Sequence, residues 1–484
     1  MIFQTELAVQ ILLPLLSAFV VSLGVCVLLI RWRSLIERFT RHRNDHEAVQ
    51  ASHVGDPLRL GGIAVLVGIL VGSVMLFLLN PVNYIPLLLA TLIPVFFAGL
   101  WEDLGHGVSA LGRFIASLIA ACLAVALLGL WVPRGDLTLL DAIMGFVPAG
   151  VIFTVFLAAL YCHSVNLIDG MNGLAATVVV FSSVGLAVLG AHGELGQITV
   201  FALLVAAATL GFQLLNWPVA KLFLGDAGAY GLGHILVWLG ISVIALAPNV
   251  AVPAVILVLF YPFADTFHTV LRRALEKKKI ASPDRMHLHQ KIRRGLEVVW
   301  LGRDMRHVSN PATTLLMMPI TAGPVVAGVL LWDMPTASWL ALVGLGTAFV
   351  GLHFFIMAMA KRYRNGRGAF AGKSMGRDNV LAFETAGLES KEVELSQYSG
   401  PFFLDARAVE VMISRALGDS GWRLTTKAPG LQNKTWQKDF DTDLAAWEFF
   451  MDQVDRFGID AVMGPQISVE AERAMYQRYV DTTT

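Results

Sequence analysis

The chain has 484 residues, of which 56% are hydrophobic and 15% charged, and its 36 basic and 36 acidic side chains cancel. A soluble domain carries about 25% charged residues, so an ordinary soluble protein is excluded. The charge is also segregated: residues 1–364 sum to +5, while residues 365–484, with thirteen basic and eighteen acidic side chains, sum to −5. Composition therefore describes a polytopic membrane domain followed by a small soluble one.

Apolar runs of about 20 residues span a bilayer as helices. Eleven are predicted, near 8–30, 60–80, 84–101, 110–131, 143–164, 172–190, 197–216, 228–247, 250–271, 312–332 and 336–360. The first follows Gln4 and Glu6 and precedes Arg31, Arg33, Arg38, Arg41 and Arg43. Lacking a basic leader, it reads as an anchor rather than a cleaved signal. Eleven spans put 31–59, 102–113, 165–171, 217–227, 272–311 and 361–484 on one side. Of the 23 Lys and Arg before residue 365, only Arg134 falls among the short links on the other side. Cytoplasmic loops collect Lys and Arg, so the long loops are expected in the cytoplasm. The expected fold is an all-α polytopic membrane protein of about 11 transmembrane helices, N-terminus periplasmic and C-terminus cytoplasmic. A small soluble C-terminal domain of mixed or unknown class follows. The expected domains are 1–364 in the membrane, a linker over 365–400, and a cytoplasmic domain of unknown function over 401–484. Cys26, Cys122 and Cys162 lie inside apolar runs, without disulfide or zinc spacing, and are expected to pack in the core.

A carboxylate at a membrane span is costly and marks a functional site by default. Five fall on the predicted cytoplasmic face: Glu102 and Asp103 after the third span, Asp169 after the fifth, Asp226 before the eighth, and Asp265 near the end of the ninth. Each alone could be a helix cap at the headgroup level. Together, with Asn166 and Asn172 nearby, they suit a hard cation that prefers oxygen ligands and shares them with a substrate phosphate. On the same face, Arg285, His287 and His289 stand within five residues, donors suited to phosphate oxygens. An acidic cation site facing a cationic loop suits phosphoryl transfer between two anionic substrates, where positioning and charge neutralisation carry most of the catalysis. A transporter also needs many spans and buried carboxylates, but its binding groups sit near the bilayer midplane. Here they cluster at one surface.

These residues resemble the polyprenyl-phosphate N-acetylhexosamine-1-phosphate transferases, over essentially all of residues 1–364. His53 to Arg59-Leu-Gly-Gly is similar to the family's first cytoplasmic motif, and Gly99-Leu-Trp-Glu-Asp to its Asp-Asp motif. Asn166-Leu-Ile-Asp-Gly-Met-Asn-Gly-Leu, Asn216 through Leu224-Gly-Asp-Ala-Gly, and Asp265 through Pro283-Asp-Arg-Met-His-Leu-His resemble the later motifs. His-x-His rather than three consecutive histidines points to the branch initiating O-antigen synthesis. Departures are Glu102 for a usual Asp, Gln290 for His, Asn172 for Asp, His163 for Asn, and Ala51 where a basic residue often stands. They leave a catalytically degenerate scaffold as the alternative to an enzyme.

The resemblance implies transfer of N-acetylhexosamine 1-phosphate, most simply from UDP-GlcNAc, to undecaprenyl phosphate at the cytoplasmic face of a bacterial inner membrane, releasing UMP. It implies Mg²⁺ as cofactor, with Mn²⁺ as a substitute. Asp226 is the expected metal ligand, and Asp103 with Glu102 the expected general base. Asp169 and Asn166 would position nucleotide or metal. Asn172, Lys221, Arg285, His287, His289, His53 and Arg59 complete the expected substrate-binding set. Candidate partners besides the two substrates are a second copy of the chain and a soluble glycosyltransferase recruited by the tail; no nucleic acid is expected.

Overall fold

The computed structural model describes residues 2–39, 58–277, 286–374 and 393–463, apart from residues 82, 298–300, 302–304, 397, 405–406, 417–420, 429–430, 432 and 437. The chain divides into two compact units, Met1–Gly368 and Ala369–Thr484.

The first unit is helical. Its N-terminal half holds α1 (Ile2–Arg31), α2 (Arg33–Phe39), α3 (Gly61–Leu79), α4 (Tyr84–Thr91), α5 (Ile93–Asp103), α6 (Ala110–Leu128), α7 (Thr138–Met144) and α8 (Val147–Leu167). There follow α9 (Leu174–His192), α10 (Gly196–Asn216), α11 (Gly225–Leu246), α12 (Val252–Val258), α13 (Phe260–Leu275), α14 (Leu288–Leu296), α15 (Arg306–Leu330) and α16 (Pro335–Ser374). Among the described residues nine helices are long and apolar enough to cross a membrane, and two bent pairs would raise the number to 11. The pairs are α4 with α5, bent by 42°, and α12 with α13, bent by 83°. They are the third and ninth runs of the sequence, and proline explains both breaks. Pro94 cannot donate to Ala90, and Leu92 N–H bonds the Leu89 carbonyl at 3.2 Å. Pro262 leaves the Val258 carbonyl without its helical donor, and the Ser182 hydroxyl donates to it at 2.9 Å.

At the centre stands α11. Of its most apolar window 89% is buried inside the protein, against 11% for α16. Glycine permits that crowding: a Cβ on Gly62 of α3 would meet the Gly228 Cα at 2.2 Å. Most other helices turn large apolar side chains outward, as Leu78, Phe97, Leu111 and Phe354 show. Cys26 and Cys162 are buried as expected, but Cys122 is exposed on the outer face of α6. An apolar run cannot say which of its residues face lipid.

Arg134, the lone basic residue of the short links, has a structural task. It pairs with Asp136 and donates to the carbonyls of Ala247 at 3.1 Å and Val250 at 2.8 Å. It thus neutralises carbonyls around the C-terminal end of α11.

The second unit pairs a small antiparallel sheet with a helix. Its strands are β1 (Val393–Leu395), β2 (Gly400–Leu404), β3 (Arg407–Ala416), β4 (Arg423–Lys427) and β5 (Lys434–Thr435), followed by α17 (Asp443–Phe457). The order is β1-β3-β4-β5, with β2 also paired to β3. The sheet thus begins ahead of residue 401. Alternate residues Val409, Val411 and Ile413 of β3 face a core with Leu424, Phe450 and Val454.

Candidate functional site

The site is built on the first turn of α11. Gly225 has φ +75°, and a Cβ there would fall 2.0 Å from the Arg59 carbonyl oxygen, so only glycine fits. The opening N–H groups of a helix lack partners within it, and two carboxylates from other elements take them. Asp169 Oδ2 accepts from Gly225 N–H at 3.1 Å. Asp103, at the end of α5, accepts from Asp226 N–H and Ala227 N–H through its two oxygens, both at 2.8 Å. The Asp226 carboxylate, on that same turn, accepts from Asn166 Nδ2 at 3.0 Å through Oδ1 and from the Arg113 guanidinium through Oδ2. Three carboxylates, an amide and an arginine from α5, α6, α8 and the loop behind it, and α11 thus meet at one end of the bundle. The Arg113 and Asp226 side chains are 20% and 15% exposed, so the pair is reached from outside.

Loop contacts fix this arrangement. Phe223 N–H bonds the Leu58 carbonyl at 3.0 Å, and Gly61 and Gly62 donate to the carbonyls of Phe223 and Leu224 at 2.8 and 2.7 Å. That holds the Arg59 segment against α11's entry. Asn216 ties two loops together, accepting from Gly173 N–H and donating to the Leu222 carbonyl, each at 2.7 Å. Burial pushes the Asp169 carboxyl up to about 8; the nearby Asp226 adds to this, while the Arg59 charge and the Gly225 N–H oppose it.

Several expected residues take other places. Asp103 was expected as a general base, yet both its oxygens are committed to capping α11. Glu102, its expected companion, is buried and accepts from Val108 N–H in its own loop. Asn172 is buried among loops, donating through Nδ2 to the Pro218 carbonyl and through its backbone to Asn310 Oδ1, both at 2.8 Å. Lys221 is exposed. His53 and Arg285 lie outside the described residues.

A second group forms around Asp265, which is fully buried. Its Oδ2 lies 2.6 Å from His287 Nδ1, and its Oδ1 accepts from Leu288 N–H at 3.2 Å. His289 Nδ1 lies 3.2 Å from the Tyr261 hydroxyl, and the two imidazoles are parallel within 10°. His-x-His does share one face, as its extended start requires. Burial holds His289 down at about 3, with His287 and Arg293 adding to this and Asp265 opposing it. His289 is therefore a neutral imidazole at physiological pH rather than a cation. Asp265 serves the histidines, not the Asp226 cluster.

Arg113 escaped the sequence reading. Its signal was there: between Leu111 and Leu271 only Arg113 and Lys221 are basic on the predicted cytoplasmic face. Arg113 also lies over the Tyr230 ring, 6.0 Å from its centroid, and the Tyr230 hydroxyl is 3.2 Å from His163 Nδ1.

Among the described residues no three His, Cys, Asp or Glu side chains gather closely enough to hold a metal unaided. The Asp226 cluster offers oxygen donors from one partly exposed carboxylate. That fits a hard cation completed by substrate phosphate oxygens and water, and does not fit a closed protein cage.

The sequence profile of glycosyl transferase family 4 matches residues 85–244. The chain is 29% identical over 237 residues to the probable undecaprenyl-phosphate N-acetylglucosaminyl 1-phosphate transferase of Bacillus subtilis (strain 168), covering 48% of this chain and 65% of that protein. It is 27% identical over 274 residues to the decaprenyl-phosphate N-acetylglucosaminephosphotransferase of Mycobacterium tuberculosis (strain H37Rv), covering 50% and 66%. It is 26% identical over 245 residues to the phospho-N-acetylmuramoyl-pentapeptide-transferase of Moorella thermoacetica, covering 48% and 76%. The chain thus spans just under two thirds of the length of the first two relatives. The matched family segment runs from the start of α4 into α11 and so contains Asp103, Arg113, Asn166, Asp169 and Asp226.

Proposed function

We propose that the chain, whose residues 85–244 match the profile of glycosyl transferase family 4, transfers N-acetylhexosamine 1-phosphate from a UDP-sugar to a polyprenyl phosphate. The products are a polyprenyl-diphospho-sugar and UMP. UDP-GlcNAc and undecaprenyl phosphate are the substrates proposed, at the cytoplasmic face of a bacterial inner membrane, as the first step of O-antigen or another envelope polysaccharide. One observation carries this reading: an oxygen-rich cluster at a helix N-terminus, at one end of an apolar helical bundle. It gives a water-soluble diphosphate and a membrane-anchored phosphate one place to meet.

A carrier-phosphate oxygen attacks the sugar-bearing β-phosphorus, and the bond from that phosphorus to the oxygen of the departing UMP breaks. Asp226 would hold Mg²⁺, and the chemistry supplied there would be neutralisation of charge on the departing UMP. The second pKa of a phosphate monoester is about 6, so at neutral pH much of the nucleophile carries no proton to remove. The chain's work is then positional. Asp103 fixes the turn that carries Asp226, Asn166 fixes the Asp226 carboxylate, and Asp169 steadies Gly225. Arg113 supplies positive charge beside the substrate diphosphate from which UMP departs.

An apolar cavity of about 240 Å³ lies between α8, α11 and α12, bordered by Phe153, Leu157, Val237, Ile241, Val255 and Phe263. Arg134, Met144 and Ile244 also border it, which places it toward the C-terminal end of α11, away from Asp226. UMP release from the purified protein, compared between wild type and Asp226→Asn, tests the assignment.

A further inference from the structure

The Arg113–Asp226 pair is unlike a finished structural salt bridge. A settled arginine–carboxylate pair engages two nitrogens in parallel. Here one guanidinium nitrogen, Nη1, meets one carboxylate oxygen, Oδ2. Arg113 Nε is buried and has no acceptor within the described structure. A buried donor left unused is costly, and it is relieved by an acceptor arriving from outside. The side chain has a route to it, being 20% exposed and anchored in the first turn of α6 behind the Ser109 cap. Its surroundings favour a cation: Asp226 and Glu102 both act on it electrostatically, and the Tyr230 ring lies below it.

Asp226 is held just as provisionally. Asn166 takes Oδ1, and Arg113 takes Oδ2, which a divalent cation would need. A divalent cation beside Oδ2 repels the guanidinium already there, so occupancy by one weakens the other. The incoming diphosphate offers Arg113 the planar pair of oxygens that a guanidinium matches.

We propose that Arg113 is an exchangeable counter-ion of Asp226: it competes with the divalent cation in the empty site and passes to the substrate diphosphate when the cation arrives. Metal binding by Asp226 and nucleotide binding by Arg113 are then coupled, each favouring the other. Before the cation arrives, the Asp226 carboxylate is then not left unpaired. The inference rests on Asp226 as the metal ligand.

The test is a Mn²⁺ titration of the full-length protein in detergent, followed by electron paramagnetic resonance, with and without UDP-GlcNAc. Wild type should bind Mn²⁺ weakly alone, and UDP-GlcNAc should tighten it about tenfold or more, within the usual span of coupling. Arg113→Gln should bind Mn²⁺ alone several-fold more tightly than wild type and lose most of the nucleotide-induced gain. Equal Mn²⁺ affinity in wild type and Arg113→Gln, with binding abolished by Asp226→Asn, overturns the exchange and leaves the metal-ligand assignment standing. Mn²⁺ binding that survives Asp226→Asn unchanged overturns both. If Arg113→Gln does not fold, Arg113→Lys carries the test. It keeps the charge but not the planar fork, so its Mn²⁺ affinity should stay near wild type while the nucleotide-induced gain falls at least about threefold. An undiminished gain refutes the proposal.

Discussion

Substituting Asp103→Asn replaces one carboxylate oxygen by NH₂ and separates two roles. As a cap, the carboxylate accepts from Asp226 N–H and Ala227 N–H, both at 2.8 Å. Asparagine keeps one acceptor and turns an NH₂ toward the other N–H. One hydrogen bond to a charged group, roughly 1.5–3 kcal/mol, becomes a donor–donor conflict. The lost attraction to the helix dipole adds about 0.3–1 kcal/mol. The first turn of α11 should therefore open about 2–4 kcal/mol more easily, roughly 30- to 1,000-fold. Hydrogen exchange read by mass spectrometry reports it: amides 225–228 should lose protection by that factor while the middle of α11 keeps its own. Transfer should fall with it, because Asp226 rides on that turn. A general base would behave otherwise, with transfer lost and exchange across 225–228 unchanged. That result would refute the capping role, as would wild-type transfer and exchange together.

Three further outcomes are expected. The folded Asp169 carboxyl titrates near 8, whereas an unfolded one titrates at about 3.9. The folded protein thus holds a proton that the unfolded chain releases. The stabilisation is complete below about pH 4 and is lost as pH rises through about 8. Melting temperature of the metal-free protein should fall between about pH 5 and pH 9, and Asp169→Asn should flatten the slope; an unchanged slope contradicts the burial of that group. Gly225→Ala puts a Cβ 2.0 Å from the Arg59 carbonyl at φ +75°, costing about 1–3 kcal/mol in backbone strain alone. Its melting temperature and transfer should both drop, and a neutral result would mean that the Arg59 segment is not seated on α11. Truncation after Arg364 should leave transfer measurable, since Asp103 through Asp265 all precede it; complete loss in a folded truncation would make the C-terminal unit part of the catalytic body.

Much of the membrane unit was legible because lipid imposes a length on every span. Eleven apolar runs became nine helices and two bent pairs, with Pro94 and Pro262 at the bends. The bends themselves were hidden, since a proline inside an apolar run does not say how its neighbours resolve the missing hydrogen bond. The acidic face was legible as topology but not as geometry. Asp103, Asp169 and Asp226 converge, whereas Glu102 turns into its own loop and Asp265 joins the histidines. The direction of a side chain at a helix end is set by the elements packed beside it. Asn172 shows the same limit, because its partners Pro218 and Asn310 are 46 and 138 residues away. Arg113 was hidden for another reason: a basic residue at the edge of a span already has a reading as a topology signal. The sheet of the second unit, starting at Val393, was invisible in strands as short as β1 and β5.

The account stands most directly on UMP release from purified protein given undecaprenyl phosphate, UDP-GlcNAc and Mg²⁺, with and without EDTA, for wild type and Asp226→Asn. It predicts release that needs the lipid, stops with EDTA, and is absent from a folded Asp226→Asn protein. Wild-type release in Asp226→Asn, or none from folded wild type with any UDP-N-acetylhexosamine, would contradict it.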